Sequence, residues 1–200
     1  MNRKAELKRH QIIQAAYQAV ADKGYEAVTL QDIANYATVS KGVPNYYFQN
    51  KEDVLAHLLA EITKRIFEKE KEAVENETNS QNMLLAYLNT VFPGPEENEK
   101  FYKVYLDFLA QATRNERYRE INARFYKNCS SICEVIITHG NEEGAFHIVD
   151  VDEAAKAIRS MIDGYMIQWM MSADHTIHHT YRAACLHAIN RYLKTNTALD

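Results

Sequence analysis

Three groups of residues in this 200-residue chain have types and spacings that do chemistry in proteins. Asp174, His175, His178 and His179 stand at the i, i+3, i+4 spacing that gathers imidazoles around a metal on one helical face. They also open a helix, where polar side chains are ordinary, so no metal is expected there. Cys129 and Cys133 lie one helical turn apart, as a thiol sensor requires. The competing reading of two small buried residues is preferred, because free cysteine favours interiors. Lys41, Gly42, Val43, Asn45 and Tyr46 bring together a cation, a residue without a side chain, a small apolar group and hydrogen-bonding groups. Such a mixture makes and breaks no bonds, but it suits a groove lined by base edges and phosphates. The sequence contains no phosphate-cradling glycine loop, no nucleophile elbow and no HExxH run. Neither enzyme activity nor a cofactor is expected.

The elements that must position the third group are legible around it. In TLQDIANYATVSKGVPNYYF, Thr29 to Phe48, the residues Leu30, Ile33, Ala34 and Ala37 recur at the period of one helical face. Thr29 is placed to cap that helix, and Asp32 in its first turn complements the positive end. Thr38-Val39 forms a short turn, Ser40 offers a second N-cap, and a short helix runs from Lys41. The pair of helices is a helix-turn-helix. Ahead of it, Ile12, Ala16 and Val20 make Arg9 to Lys23 a one-sided helix that Gly24 ends. The basic residues Arg3, Lys4, Lys8 and Arg9 form an arm in front, suited to phosphates. Behind it, Asn50 caps a long fourth helix whose apolar stripe gives way to the charged run Glu68 to Glu72.

This stretch resembles the DNA-binding end of the tetracycline-repressor (TetR) family of bacterial transcription regulators. The resemblance rests on Val39-Ser40-Lys41-Gly42, Tyr47-Phe48 and Asn50-Lys51-Glu52 at the family's spacing, with Gly24 closing the helix before. It is close over the first third of the chain and general beyond. It implies that Thr29, Tyr46, Tyr47 and Lys51 meet phosphates, alongside Ser40 at the head of the second helix. Lys41 would donate to guanine, Asn45 would pair with adenine, Val43 would touch a thymine methyl and Gly42 would let the helix approach closely. Two positions depart from the family's pattern. Thr38 stands where glycine is usual, which is costly if the backbone there needs positive φ. Pro44, fourth in the helix as counted from Lys41, lacks an N–H and should give a poor start or a shorter helix.

Composition sets the frame. With 46% hydrophobic residues, 6 glycines and 3 prolines, the chain reads as all-α, with a three-helix head and a larger C-terminal helical domain, about nine helices in all. Residues 1–50 form the head, 51–74 a connecting helix and 75–200 the body, the polar run ENETNSQ at 75–81 marking the boundary. The net charge of −4 divides unevenly: residues 1–55 carry 7 basic and 6 acidic residues, and the remainder 16 and 21. The three cysteines form no disulfide framework, the N-terminal residues have no apolar signal core, and no window is apolar enough to span a membrane. A soluble, cytoplasmic protein is expected.

Helices are expected over 82–92, 97–114, 116–139, 152–171 and 176–194, with Gly140 to Gly144 a turn and Asp152 a cap. In the last two, Ala155, Ile158, Ile162, Tyr165 and Trp169 form one seam, with Met161, Met166, Met170 and Met171 on another face. The resemblance implies that these helices make a four-helix dimer interface, so that two heads read a palindromic operator. It also implies a small apolar or amphipathic effector held in the body, released from or required for DNA binding. Met83, Tyr87, Phe101, Tyr105, Phe108, Phe125, Cys129, Met161, Tyr165 and Trp169 are the candidates to line its site. Each of them also reads as ordinary core. A helical protein-interaction module without DNA binding is the alternative from a different class.

Overall fold

The computed structural model describes residues 3–172 and 174–195. Among them are nine α-helices, one 3-10 turn and no strand. The helices are α1 (Arg3–Lys23), α2 (Leu30–Tyr36), α3 (Gly42–Tyr47), α4 (Lys51–Glu75), α5 (Ser80–Val91), α6 (Pro95–Ala112), α7 (Glu116–Glu142), α8 (Val151–Met170) and α9 (His178–Thr195). The chain divides into two compact units. One comprises Met1–Lys64 with Lys100–Ala123, the other Arg65–Glu99 with Arg124–Asp200.

In the first unit α1 lies against α2, and α2 against α3. Ile12, Ala16, Ile33, Ala34, Leu55, Leu58 and Leu59 are fully buried and make its core. Each large apolar side chain removed from water in this way contributes about 1.5–3 kcal/mol. The segment Lys100–Ala123 belongs to this unit, and polar contacts fix it there. The Tyr25 backbone N–H donates to Asp107 Oδ2 at 2.9 Å, Gln111 bonds Glu26 at 2.7 Å, and Arg117 pairs with Asp53 at 2.8 Å. Tyr25, Phe108 and Tyr118 meet edge to face, a geometry favoured by their ring quadrupoles. The chain expected to be a basic arm is not an arm: α1 begins at Arg3, because Arg3 to Arg9 are themselves good helix formers continuous with the apolar stripe.

The second unit is built on α8 against α9, with α5 also against α9. Trp169, Phe125, Phe146, Ile162, Met166, Ile189 and Leu193 are buried in it. Pro93-Gly94-Pro95 ends α5 as expected, and Pro95 takes the first helical position of α6, where its missing N–H is not needed. Two expectations fail here. The cap of α8 is Asp150, whose side chain accepts from the Glu153 N–H at 2.9 Å, not Asp152. Gly140 lies inside α7 rather than in a turn. A Cβ there would stand 1.9 Å from the Phe146 ring, so this glycine serves close packing and the chain turns only at Gly144, φ +71°.

Candidate nucleic-acid interface

The site begins with a seven-residue helix that is closed at both ends. At the start of α2 the Thr29 hydroxyl accepts from the Asp32 N–H at 3.1 Å, and Asp32 Oδ2 in return accepts from the Thr29 N–H at 2.9 Å. The Thr29 hydroxyl also donates to Asp32 Oδ2 at 2.6 Å, and Lys23 pairs with Oδ1 at 2.5 Å. These bonds, the lysine's first, hold the Asp32 carboxyl down at about 2. At the other end the Thr38 N–H donates to Asn35 O and the Val39 N–H to Ala34 O, each at 3.0 Å. This is the paired closure in which glycine normally occupies the position of Thr38. Thr38 adopts φ +52°, so the turn keeps its usual geometry and the threonine bears the strain.

Helix α3 starts one residue later than the sequence suggested. Its N-cap is Lys41, which makes no side-chain cap bond; Ser40 does not cap it. The reason is Pro44, which cannot donate to Ser40 O. Val43 donates to that carbonyl instead, at 3.0 Å, and the helix sets off from Gly42. Pro44 then falls at the third helical position, where an N–H would have no intrahelical partner anyway, so the start costs nothing. The helix is six residues long and Pro44 is buried beneath it.

Lys41, Gly42, Asn45 and Tyr46 are exposed, the last to 82%, while Val43 and Tyr47 are half-buried. A Cβ added to Gly42 would meet nothing within 4 Å, so no internal contact demands glycine there. Ser40 and Thr29 are exposed beside this face. Phe48 is core. Lys51 differs from expectation in its surroundings: its ammonium donates to Tyr25 O at 2.9 Å and to Glu26 O at 3.3 Å and lies 5.1 Å from the Tyr25 ring. It ties the start of α4 to the turn after α1. Arg9, which sequence reasoning counted only as a phosphate ligand, donates to the Tyr47 carbonyl at 2.6 Å. No spacing rule relates residues 38 positions apart.

The effector candidates fall on both units. Phe101, Tyr105 and Phe108 belong to the first, where Phe101 stacks on Tyr105 at 5.1 Å. Met83, Tyr87, Phe125, Cys129, Met161, Tyr165 and Trp169 belong to the second. Within that second unit is a polar cluster that the apolar pattern concealed. Glu70 and Arg159 are both buried. Cys129 Sγ lies 3.7 Å from Glu70 Oε2, Arg159 pairs with Asp163 at 2.5 Å, and its guanidinium lies over Phe125 and Tyr126 at 5.3 and 5.9 Å. Burial raises the Glu70 carboxyl to about 7 against the pull of Arg159. Burial likewise pushes Cys133 and Cys185 up to about 12 and raises Cys129, which makes these thiols poor nucleophiles. The histidine group is dispersed among other partners. His178 is buried with Nε2 2.7 Å from Asn98 Oδ1, His175 faces Glu99 at 3.1 Å, and Asp174 accepts from the Thr176 N–H at 2.9 Å. Among the described residues no three His, Cys, Asp or Glu side chains converge on a metal position.

A helix-turn-helix with an exposed polar face, in a chain helical among its described residues, has the form of a DNA-binding regulator. Residues 12–58 match the model of bacterial regulatory proteins of the tetR family, and residues 80–194 that of the BetI-type transcriptional repressor C-terminal domain. The chain belongs to the TetR family of transcriptional regulators, which are not enzymes. It is similar to the fatty acid metabolism regulator protein of Bacillus subtilis (strain 168), with 28% identity over 163 residues, 81% of this chain and 83% of that protein. Its fold is similar to that of a TetR transcription regulator from Haloarcula marismortui ATCC 43049, with TM-score 0.84 and 24% identity, covering 94% of this chain and 98% of that one. It is similar also to a transcriptional regulator from Saccharomonospora viridis in complex with choline, with TM-score 0.82 and 23% identity, covering 94% and 96%. Among the described residues no helix is long and apolar enough to cross a membrane.

Proposed function

We propose that the protein is a cytoplasmic repressor that binds a palindromic operator as a homodimer and leaves it when a small amphipathic effector binds. The observation that carries this reading is the exposed face of α3, with Lys41, Gly42, Asn45 and Tyr46 turned outward from a scaffold closed beneath them. Lys41 and Asn45 read bases, Val43 and Gly42 fit the groove floor, and Thr29, Ser40, Tyr46, Tyr47 and Lys51 meet phosphates. Residues 1–50 act as the reading head, 51–74 join it to the body, and 75–200 hold the effector and the dimer contact. The dimer contact uses the outward side of α8 and α9. Ala155, Ile158, Ile162 and Trp169 are buried within the chain, whereas Ile167, Met171, Ala183 and Ala184 are exposed and Tyr165 and Tyr192 half-exposed.

The effector reading centres on the second unit's candidates together with Glu70 and Arg159. Arg159 is paired with Asp163 there, and the buried Glu70 carboxyl, held at about 7, would be drawn into its charged form by a cation, so a cationic head group suits the cluster. The choline complex of the Saccharomonospora viridis protein is consistent with that sign. Selection of duplexes from a random pool with the purified, effector-free protein tests the whole. A two-half-site palindrome is the expected product, and added choline should weaken binding to it. Enrichment only in the presence of effector would make the protein a co-repressor-dependent regulator. No enrichment under either condition would refute DNA reading.

A further inference from the structure

An open concavity of about 660 Å³ lies in the first unit beside the C-terminal half of α3, and Arg9, Tyr47, Phe48, Asp53, His57 and Arg117 are on its wall. Arg9 makes three of the contacts on that wall. One guanidinium nitrogen donates to the Tyr47 carbonyl at 2.6 Å, the other lies 3.1 Å from His57 Nε2, and the guanidinium carbon is 4.5 Å from the Phe48 ring centre. Tyr47 is the last residue of α3, so its carbonyl is one that the helix itself leaves without a partner, and a cation is favoured at that end. An arginine carries only donors and keeps its charge. The Arg9–His57 contact is therefore a hydrogen bond only if Nε2 accepts, which requires a neutral imidazole with its proton on Nδ1.

The charged groups facing His57 come from three helices. Arg9 on α1 lies 3.1 Å from its Nε2. Asp53, one turn earlier on α4, lies 3.6 Å from the same Nε2, and Arg117 on α7 donates to that Asp53 oxygen at 2.8 Å. Phe48 meets the imidazole edge to face at 5.5 Å. Burial first, and then the charges of Arg9 and Arg117, lower the His57 pKa, while Asp53 opposes them. Once protonated on Nε2, the ring would repel Arg9 and turn its new N–H to Asp53.

Resting on the DNA-reading role above, we propose that Arg9 is a positioning residue for base recognition: through a neutral His57 it holds the C-terminal end of α3, and protonating His57 releases that hold. This differs from a role as phosphate ligand, which the basic run Arg3 to Arg9 alone would suggest. The position 9 side chain is half-buried, and each of its terminal nitrogens lies within hydrogen-bond distance of a protein group.

The test has one arm without DNA. In NMR titrations of the full chain, His57 should show an unprotonated Nε2 near neutral pH, and the Phe48 amide, which donates to Pro44 O, should shift with the His57 titration. In His57→Gln, whose amide oxygen can still accept from Arg9, the Phe48 shift should be absent. An Nε2-protonated neutral tautomer, or a Phe48 amide indifferent to His57, would overturn the hold whether or not any DNA binds. In the second arm, affinity for a duplex recovered by selection should fall a few-fold more in the wild type than in His57→Gln between about pH 7.5 and pH 5.5. Arg9→Lys, which keeps the charge but cannot fork to two acceptors, should lose about tenfold in affinity with an unchanged salt dependence. Arg9→Gln should do the same. A salt slope reduced by about one in Arg9→Gln would make Arg9 a phosphate ligand and refute the proposal. If no duplex is recovered from the wild type, the repressor reading fails, and the NMR arm alone decides the fate of the hold.

Discussion

Replacing Thr38 by glycine should stabilise the protein, although it deletes a side chain. The left-handed conformation costs an L-residue about 1–2 kcal/mol, and a β-branched one is at the upper end of that range. Thr38 pays this at φ +52° because both closing bonds of α2, from the Thr38 and Val39 N–H groups, require that turn. The side chain is exposed, so its removal uncovers no core. Against the gain stands the greater freedom of glycine in the unfolded chain, about 0.5–1 kcal/mol. The balance is a stabilisation of about 1–1.5 kcal/mol, or roughly 2–6 °C in Tm for a chain of this length. Urea unfolding at one fixed protein concentration gives the number, the concentration being held because a dimer's apparent stability depends on it. Thr38→Ala, which removes the branch but keeps a Cβ, should gain less than Thr38→Gly. If the glycine variant is less stable than wild type, or the alanine variant gains as much, the backbone strain inferred at this turn is not its energetic origin.

Other substitutions separate folding from reading. Gly42→Ala should leave the fold intact and stabilise α3 slightly, since a Cβ there meets nothing, but should weaken duplex binding at least tenfold if close approach matters; circular dichroism and a binding titration together decide. Asn45→Ala should relax the preference at one base position in a repeated selection, with overall stability unchanged within about 0.5 kcal/mol. Lys51→Ala should weaken all duplexes alike and also lower stability by about 1 kcal/mol, because two backbone carbonyls lose their donor; a purely DNA-binding loss would contradict the contacts at Tyr25 and Glu26. Glu70→Gln addresses the body. With the folded carboxyl at about 7 and the unfolded one at 4.5, the folded state binds more protons, so its contribution to stability is full below about 4.5 and lost as pH rises through about 7. The variant should flatten that decline and exceed the wild type at about pH 8 by on the order of 1–3 kcal/mol in urea unfolding.

What the sequence disclosed was local. Thr29 with Asp32, Gly24 after α1 and Asn50 before α4 announced their structures because capping is settled within four residues; Asn50 indeed accepts from the Asp53 N–H at 2.8 Å. Where two residues could serve one purpose the choice was not visible, as with Asp150 and Asp152 ahead of α8. Residue type also misled when its cause was distant: Gly140 reads as a turn until the Phe146 ring is placed over it. Of the five residues expected outward on the second helix, Lys41, Gly42, Asn45 and Tyr46 are exposed and Val43 is half-buried. The support of that helix was not legible, since Arg9 and Lys51 meet backbone carbonyls, which no side-chain pattern encodes. The Glu70–Arg159 cluster escaped for a related reason. Glu70 lies in a run that alternates with lysines and looks wholly solvated, yet its own side chain is 1% exposed.

The two halves of the reading motif differ in where their conformation comes from. α2 is closed by its own neighbours at both ends, whereas α3 is short, lacks a side-chain cap bond, and leans on Pro44 beneath and Arg9 at its end. Changes in operator taste during descent therefore need not touch the residues proposed to meet bases. Substitutions on α1 or α4 that tilt a six-residue helix by a few degrees would present the same Lys41 and Asn45 to different base pairs. Paralogues with identical reading helices should for that reason be able to recognise different operators.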